Sequence, residues 1–397
     1  METKKKSVMM VIPHMVGGGA ERVAAMLLNE FRKNGYDASF LLTSAKREDV
    51  INRDLDADVP LILLQERCGK KKNKPKKITA SALSHLFENT GRAVPASIAH
   101  YSFTALYQNE IDAVRQMLTD KPEMTVVAFS QPAIPIVLLA AKGLPNRIVM
   151  SERTDPIRLM KKRYGYNFID KYYNRVDAAV FQTYDAKNTY PACVSNKGTV
   201  ISNPIKEGLP KPYFGERKKV ITTFCRISAQ KNLPLLFEAF LMLHKEHPDY
   251  TLRIIGDAMN EDDRKIKEQL LTFVESNGLK GSVVFEPFMA SVHGAIIKDA
   301  MYVNSSDFEG ISNAMLEAMA IGMPVVCTDC PIGGANATIR NGENGLLVPV
   351  GDREALYHAM KRMIEEPGLA EKLSANAVKL REELKLEMIA KKWMELL

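Results

Sequence analysis

No stretch of the chain approaches the roughly 18 consecutive apolar residues that a membrane-spanning helix needs, which argues against an integral helical membrane protein. Cysteine is scarce and unpaired in pattern: Cys68, Cys193, Cys225, Cys327 and Cys330 are odd in number and scattered. A disulfide framework needs an even, regularly spaced set, so reduced thiols in a cytoplasmic compartment are expected. The opening METKKKSVMMVIPHM is basic and then only briefly apolar before glycines begin, so it reads as a first strand rather than an export signal. Cys327 and Cys330 form one C-x2-C with no second pair to complete a zinc site, and no metal is expected. A full G-x-G-x-x-G is also missing, which argues against a dinucleotide, and no cofactor is expected.

Neither sign of charge dominates: 54 Lys and Arg stand against 47 Asp and Glu, for a net charge of +7. The surplus is concentrated in KKKNKPKK, where Lys70, Lys71, Lys72, Lys74, Lys76 and Lys77 crowd one segment. Such a run cannot pack and reads as a loop. It lacks the interleaved aromatics of a single-strand binder, so nucleic acid is not expected. An anionic membrane surface is the alternative partner, with Leu83, Leu86 and Phe87 of the Ala80–Phe87 segment adding a small apolar face if helical.

What is present is enough for two α/β domains. The length of 397 residues exceeds one ordinary domain, and 46% hydrophobic content supports real cores. Val8 to Pro13 reads as a strand, Gly17-Gly18-Gly19 as a turn, and the residues to about Lys33 as a helix, the arrangement that cradles phosphate in α/β proteins. Glu152-Arg153 follows the strand Ile148–Ser151, where charged groups face a ligand crevice. Lys206 to Lys219, rich in Pro, Gly and Lys, reads as a linker.

The most informative stretch is DFEGISNAMLEAMAIGMPVV, from Asp307 to Val326. Ser312 or Asn313 is placed to cap a helix whose apolar face is Met315, Leu316, Met319 and Ala320. Gly322 and Pro324 end it, and Met323 to Cys327 reads as a strand. Glu309 lies in the loop before the helix and Glu317 near the end of its first turn. A helix start binds anions, yet two carboxylates beside it would repel a bare phosphate. A ligand with hydroxyls next to its phosphates, such as a sugar nucleotide, resolves that conflict. Upstream, CRISAQKN carries Arg226 and Lys231, a planar fork and a point charge suited to a diphosphate.

The Glu309-x7-Glu317 spacing, with Gly310, Asn313, Ala318, Gly322, Pro324 and Val325-Val326, resembles the acid pair of retaining GT-B glycosyltransferases of family 4. Gly17–Arg22 is similar to that family's GGxER loop, Val200–Pro204 to its xNP turn, and Asn341–Pro349 to its NGxNG loop. Part of its exopolysaccharide branch has a segment like SERTDP. The chain departs from the pattern in two places: Cys225 replaces a glycine, and no histidine lies between His100 and His244, where many relatives carry one.

The resemblance implies a GT-B fold: two Rossmann-like α/β domains facing across a cleft, 1–205 for the acceptor and 206–383 for the donor. Residues 384–397 form a terminal helix crossing back to the first domain. It implies catalytic roles for Glu309, Arg226 and Lys231, and donor contacts from Gly18, Gly19, Phe288, Gly310, Ile311, Ser312, Asn313 and Glu317. His14, Glu21 and Arg153 belong to the acceptor side or the cleft. The implied reaction is retaining, metal-independent transfer from a nucleotide sugar, UDP-linked, to a lipid-linked or glycan acceptor. The paired acids Asp54-Leu55-Asp56 and Asp56-Ala57-Asp58 lie in the wrong domain for a metal and read as solvated. The rival readings are a GT-B sugar-nucleotide epimerase, against which the Glu309-x7-Glu317 frame argues, a phosphorylase, which would need a pyridoxal-phosphate lysine site and a longer chain, and an inactive GT-B partner, set against the intact Arg226, Lys231, Glu309 and Glu317.

Overall fold

The computed structural model describes residues 6–51, 53–68, 96–153, 155 and 172–397. The lysine run 70–77 and the segment 80–87 lie outside the described residues. The chain divides into two compact units, Met1–Pro204 with Leu386–Leu397, and Ile205–Lys385.

In the first unit seven strands form one sheet in the order β3-β2-β1-β4-β5-β6-β7. They are β1 Ser7–Ile12, β2 Asp37–Leu42, β3 Leu61–Leu63, β4 Thr125–Phe129, β5 Ile148–Ser151, β6 Ala178–Phe181 and β7 Gly198–Val200. Every pairing is parallel. Parallel strands are covered on both faces and therefore run apolar without alternation; VMMVI in β1 and TVVAF in β4 are buried throughout.

The second unit repeats the plan with six strands in the order β10-β9-β8-β11-β12-β13. These are β8 Lys218–Phe224, β9 Thr251–Ile255, β10 Val283–Glu286, β11 Asp299–Asn304, β12 Val325–Thr328 and β13 Leu346–Val348. Again every pairing is parallel. Met301, Val303 and Val326 pack into a core on one face, beside helices Leu233–Glu246 and Arg353–Glu365, while Tyr302, Val325 and Cys327 pack on the other with helix Asn313–Ala320. Both sheets reverse direction of growth at the first strand, between β1 and β4 and between β8 and β11. In open parallel sheets ligands bind outside the carboxyl ends of the strands at such a reversal.

One expected boundary moves. Gly322 takes φ +78° and prolongs the turn, so the strand begins at Val325 rather than Met323. The expected linker is pinned: Arg217 Nη1 donates to the carbonyls of Ile297 and Asp299 at 3.1 Å each, and Nη2 to that of Tyr213 at 2.9 Å. Among the described residues no helix is long and apolar enough to cross a membrane.

Helix Leu386–Met394 belongs to the first unit and packs on helix Gly19–Lys33. It buries Leu386, Ile389, Ala390 and Trp393, one helical stripe. Trp393 is fully buried, its ring centroid 6.1 Å from that of Phe129. Trp393→Ala is expected to cost about 3–5 kcal/mol of stability by leaving a large cavity. Urea denaturation checks this, and an unchanged midpoint would show that the terminal helix does not anchor the unit.

Candidate active site

At the reversal in the second unit, two loops leave neighbouring strands. The loop after β8 carries Arg226 to Asn232, and the loop after β11 carries Ser305 to Ser312. Asn232 links them. Held at φ +40°, where asparagine is tolerated, it accepts from Leu235 N–H at 3.4 Å to cap helix Leu233–Glu246, and its amide donates to Asp307 Oδ1 at 2.6 Å. Asp307 N–H donates to the Gln230 carbonyl at 3.0 Å, and Ser305 Oγ to the Lys231 carbonyl at 2.9 Å.

This stitching brings Lys231 against Glu309. The ammonium pairs with Oε1; Ser306 Oγ donates to the same oxygen at 2.8 Å, and Gln230 Nε2 donates to Oε2 at 3.1 Å. The two charged side chains are 19% and 12% exposed. Burial pulls the Lys231 ammonium down, but the Glu309 carboxylate and Cys225 together outweigh it, so the net shift is upward and the lysine stays charged. Arg226 differs: its side chain is half exposed, with Nε 3.9 Å from Asp263 Oδ2. The two expected cations are thus one solvent-facing guanidinium and one ammonium held by an acid.

Ser312 caps helix Asn313–Ala320, accepting from Met315 N–H at 3.4 Å. Gly310, in the turn before it, is approached so closely by Gly334 that a Cβ on Gly334 would lie 1.6 Å from the Gly310 carbonyl oxygen. Only glycine permits that approach, which fixes the path of the loop. Ile311 and Ser312, at the end of the loop, are buried. Glu317 is the fifth residue of the helix, one position past the first turn, and 3% exposed. Its Oε2 lies 2.8 Å from Nε2 of His293. Phe288 follows β10, is 54% exposed and donates its N–H to Asp257 Oδ2 at 3.2 Å. Reading the sequence missed Gln230, Ser306 and His293. Gln230 sits beside Lys231 and was open to notice, but nothing local marks His293.

In the first unit the loop after β1 closes on itself. Glu21 Oε2 accepts from the N–H groups of Val16 and Gly18, each at 2.7 Å, and Oε1 lies 2.8 Å from Nδ1 of the half-exposed His14. Gly17 turns at φ +89°, and Gly19 begins the helix. Arg153 is 5% exposed: its guanidinium lies 4.5 Å from the Phe129 ring centroid and 6.0 Å from that of Trp393, and Nη2 donates to Asn203 Oδ1 at 3.0 Å. Nε and Nη1 have no hydrogen-bond partner among the described residues. Burial brings this guanidinium down to about 9, against the opposing pull of the Glu152 carboxylate. Among the described residues no group of three His, Cys, Asp or Glu is arranged to hold a metal ion.

Residues 218–366, which span both loops, match the family described as glycosyl transferases group 1. The second unit carries a glycosyl transferases group 1 domain. An uncharacterized glycosyltransferase of Haemophilus influenzae is 23% identical to the chain over 96% of each. A Campylobacter jejuni 4-alpha-N-acetylgalactosaminyltransferase, named for a diphospho-undecaprenol-linked saccharide, is 29% identical over 38% of this chain and 39% of its own. Anabaena HepE in complex with UDP and glucose superposes with a TM-score of 0.73 at 17% identity, covering 98% of each chain. That likeness gives the fold as GT-B.

The Lys231–Glu309 pair of this glycosyltransferase domain lends itself to a double-mutant cycle. Removing one member orphans a mostly buried charge, so Lys231→Met alone is expected to cost about 2–4 kcal/mol, and Lys231→Met with Glu309→Gln to recover at least about half of it. Additive losses in chemical denaturation would show the two are uncoupled.

Proposed function

We propose that the chain is a retaining, metal-independent glycosyltransferase. It moves a hexose or N-acetylhexosamine from a UDP-sugar to a lipid-linked or glycan acceptor in cell-surface polysaccharide synthesis. The observation that carries this reading is the Lys231–Glu309 pair at the strand reversal of the group 1 domain, with Arg226 on the same loop as Lys231 and the Ser312-capped helix start on the same loop as Glu309. The name of the Campylobacter relative supports a lipid-linked acceptor, and the ligands of the Anabaena structure support a UDP-hexose.

Charge builds on the leaving diphosphate as the glycosidic bond breaks. Arg226, Lys231 and the helix start supply fixed positive potential where it develops, which lowers the barrier without a metal. Glu309 has both oxygens engaged by Lys231, Ser306 and Gln230. It therefore acts as a charge partner that orients the ammonium, and as a contact for the donor sugar, and we assign no protein nucleophile. Retention follows from acceptor attack on the face that the leaving phosphate vacates. Glu317 takes the ribose hydroxyls, and Phe288 lies beside the base.

The decisive experiment is a panel of nucleotide sugars offered with polyprenyl-diphosphate-sugar acceptors, reading the anomeric configuration of the product by NMR. An inverted product would refute retention. No transfer and no donor hydrolysis would favour a GT-B partner without catalysis, and interconversion of the donor sugar a GT-B epimerase. Activity is expected to survive a metal chelator. Glu317→Ala is expected to lower kcat/KM roughly ten- to hundredfold by losing charge-assisted hydrogen bonds. Arg226→Ala is expected to depress kcat more than donor affinity, because the charge it meets appears at bond cleavage.

A lipid-linked acceptor brings the enzyme to the cytoplasmic face of a membrane. Lys70, Lys71, Lys72, Lys74, Lys76 and Lys77 are the basic segment we assign to anionic headgroups there. Wild type is expected to sediment with anionic vesicles and release in salt. Equal sedimentation after all six are changed to Gln removes that assignment.

A further inference from the structure

His293 lies outside every motif of the group 1 site, yet its side chain meets that of Glu317. It opens the four-residue helix His293–Ile296 between β10 and β11. The two side chains are 7% and 4% exposed, and the imidazole Nε2–H donates to Oε2 at 2.8 Å. Phe224, the last residue of β8, stands edge-on to the ring at 5.9 Å and 84°. The loop bearing Arg226 and Lys231 leaves from that same residue. The imidazole is therefore fixed between an aromatic edge and the carboxylate.

A glutamate carries three rotatable bonds, and ordering it when a ligand arrives costs affinity. A carboxylate already held at one oxygen has much of that ordering done. We propose that His293 is a positioning residue that holds Glu317 Oε2 and so presents the carboxylate, already oriented, to the vicinal hydroxyls of the donor ribose. This rests on the reading of Glu317 as the ribose contact. Since the ribose is remote from the bond that breaks, its contacts are equal in ground and transition states. His293 then governs nucleotide affinity and leaves turnover nearly untouched.

The test is calorimetric binding to wild type, His293→Ala, His293→Asn, His293→Gln and Glu317→Ala. The probes are whichever of UDP, GDP and ADP wild type binds tightest and its 2′,3′-dideoxy counterpart. His293→Ala is expected to weaken the ribonucleotide roughly five- to thirtyfold and the dideoxynucleotide less than about twofold. The shorter His293→Asn keeps a polar side chain in place and should behave as His293→Ala does. His293→Gln returns an N–H near the Nε2 position and should restore binding to within about threefold. A merely structural histidine would weaken both nucleotides equally in every variant, and that result overturns the proposal. Discrimination by Glu317→Ala but not by His293→Ala also overturns it while leaving the ribose contact standing. If Glu317→Ala does not discriminate, the ribose contact itself falls and the proposal with it.

Discussion

The contact between Lys231 and Glu309 joins residues 78 positions apart and is the constraint on which the site depends. An ammonium and a carboxylate taken largely out of water lose hydration that only close pairing and further hydrogen bonds return. The loops supply those bonds. Gln230 and Ser306 complete the carboxylate, while Asn232, Asp307 and Ser305 bind loop to loop through their backbones and side chains. Because each bond depends on the register of β8 beside β11, the parallel sheet fixes the charges, and the charges in turn hold the loops. A site of this kind has its electrostatic field in place before the donor arrives, which is the condition under which fixed charges lower a barrier most.

The two acids that look alike in the sequence are treated in opposite ways. Glu309 is compensated by a full positive charge and two neutral donors. Glu317 sits on the buried side of its helix, and His293 reaches it from a different element. The first arrangement suits the charge partner we propose for it beside the donor diphosphate. The second suits an acceptor for hydroxyls, where direction counts for more than charge. Seven intervening residues separate a loop position from a helix position, and that change of backbone produces the two environments.

Much of this was legible in the chain. Ser312 before an apolar 3.6-residue pattern announces a cap, and the apolar strand of each α/β unit announces a parallel sheet. Arg226, Lys231 and Glu309 were marked by residue type and spacing. The pairing of Lys231 with Glu309 was not, because it arises from which strands are neighbours, and strand order is a property of the whole unit. His293 was illegible for a related reason: it touches Glu317 from 24 residues away with no periodicity linking them. The linker's composition gave no sign that Arg217 would tie it down, through the Tyr213 carbonyl within the linker and those of Ile297 and Asp299 where β11 begins.

Arg153, a charged residue after a parallel strand, was expected to face a ligand, and it packs against Phe129 and Trp393, the latter arriving from the far end of the chain. The choice of arginine is what makes that position tenable. Burial draws its guanidinium down to about 9, still charged at neutral pH. Lysine begins lower, so the same burial would cost it more of its charge, and it lacks the flat face that packs against the rings. The guanidinium keeps its charge, its hydrogen bond to Asn203 and both aromatic contacts together. It thus gives the carboxyl end of β5 a fixed positive charge that lies inside the packed unit rather than on its surface.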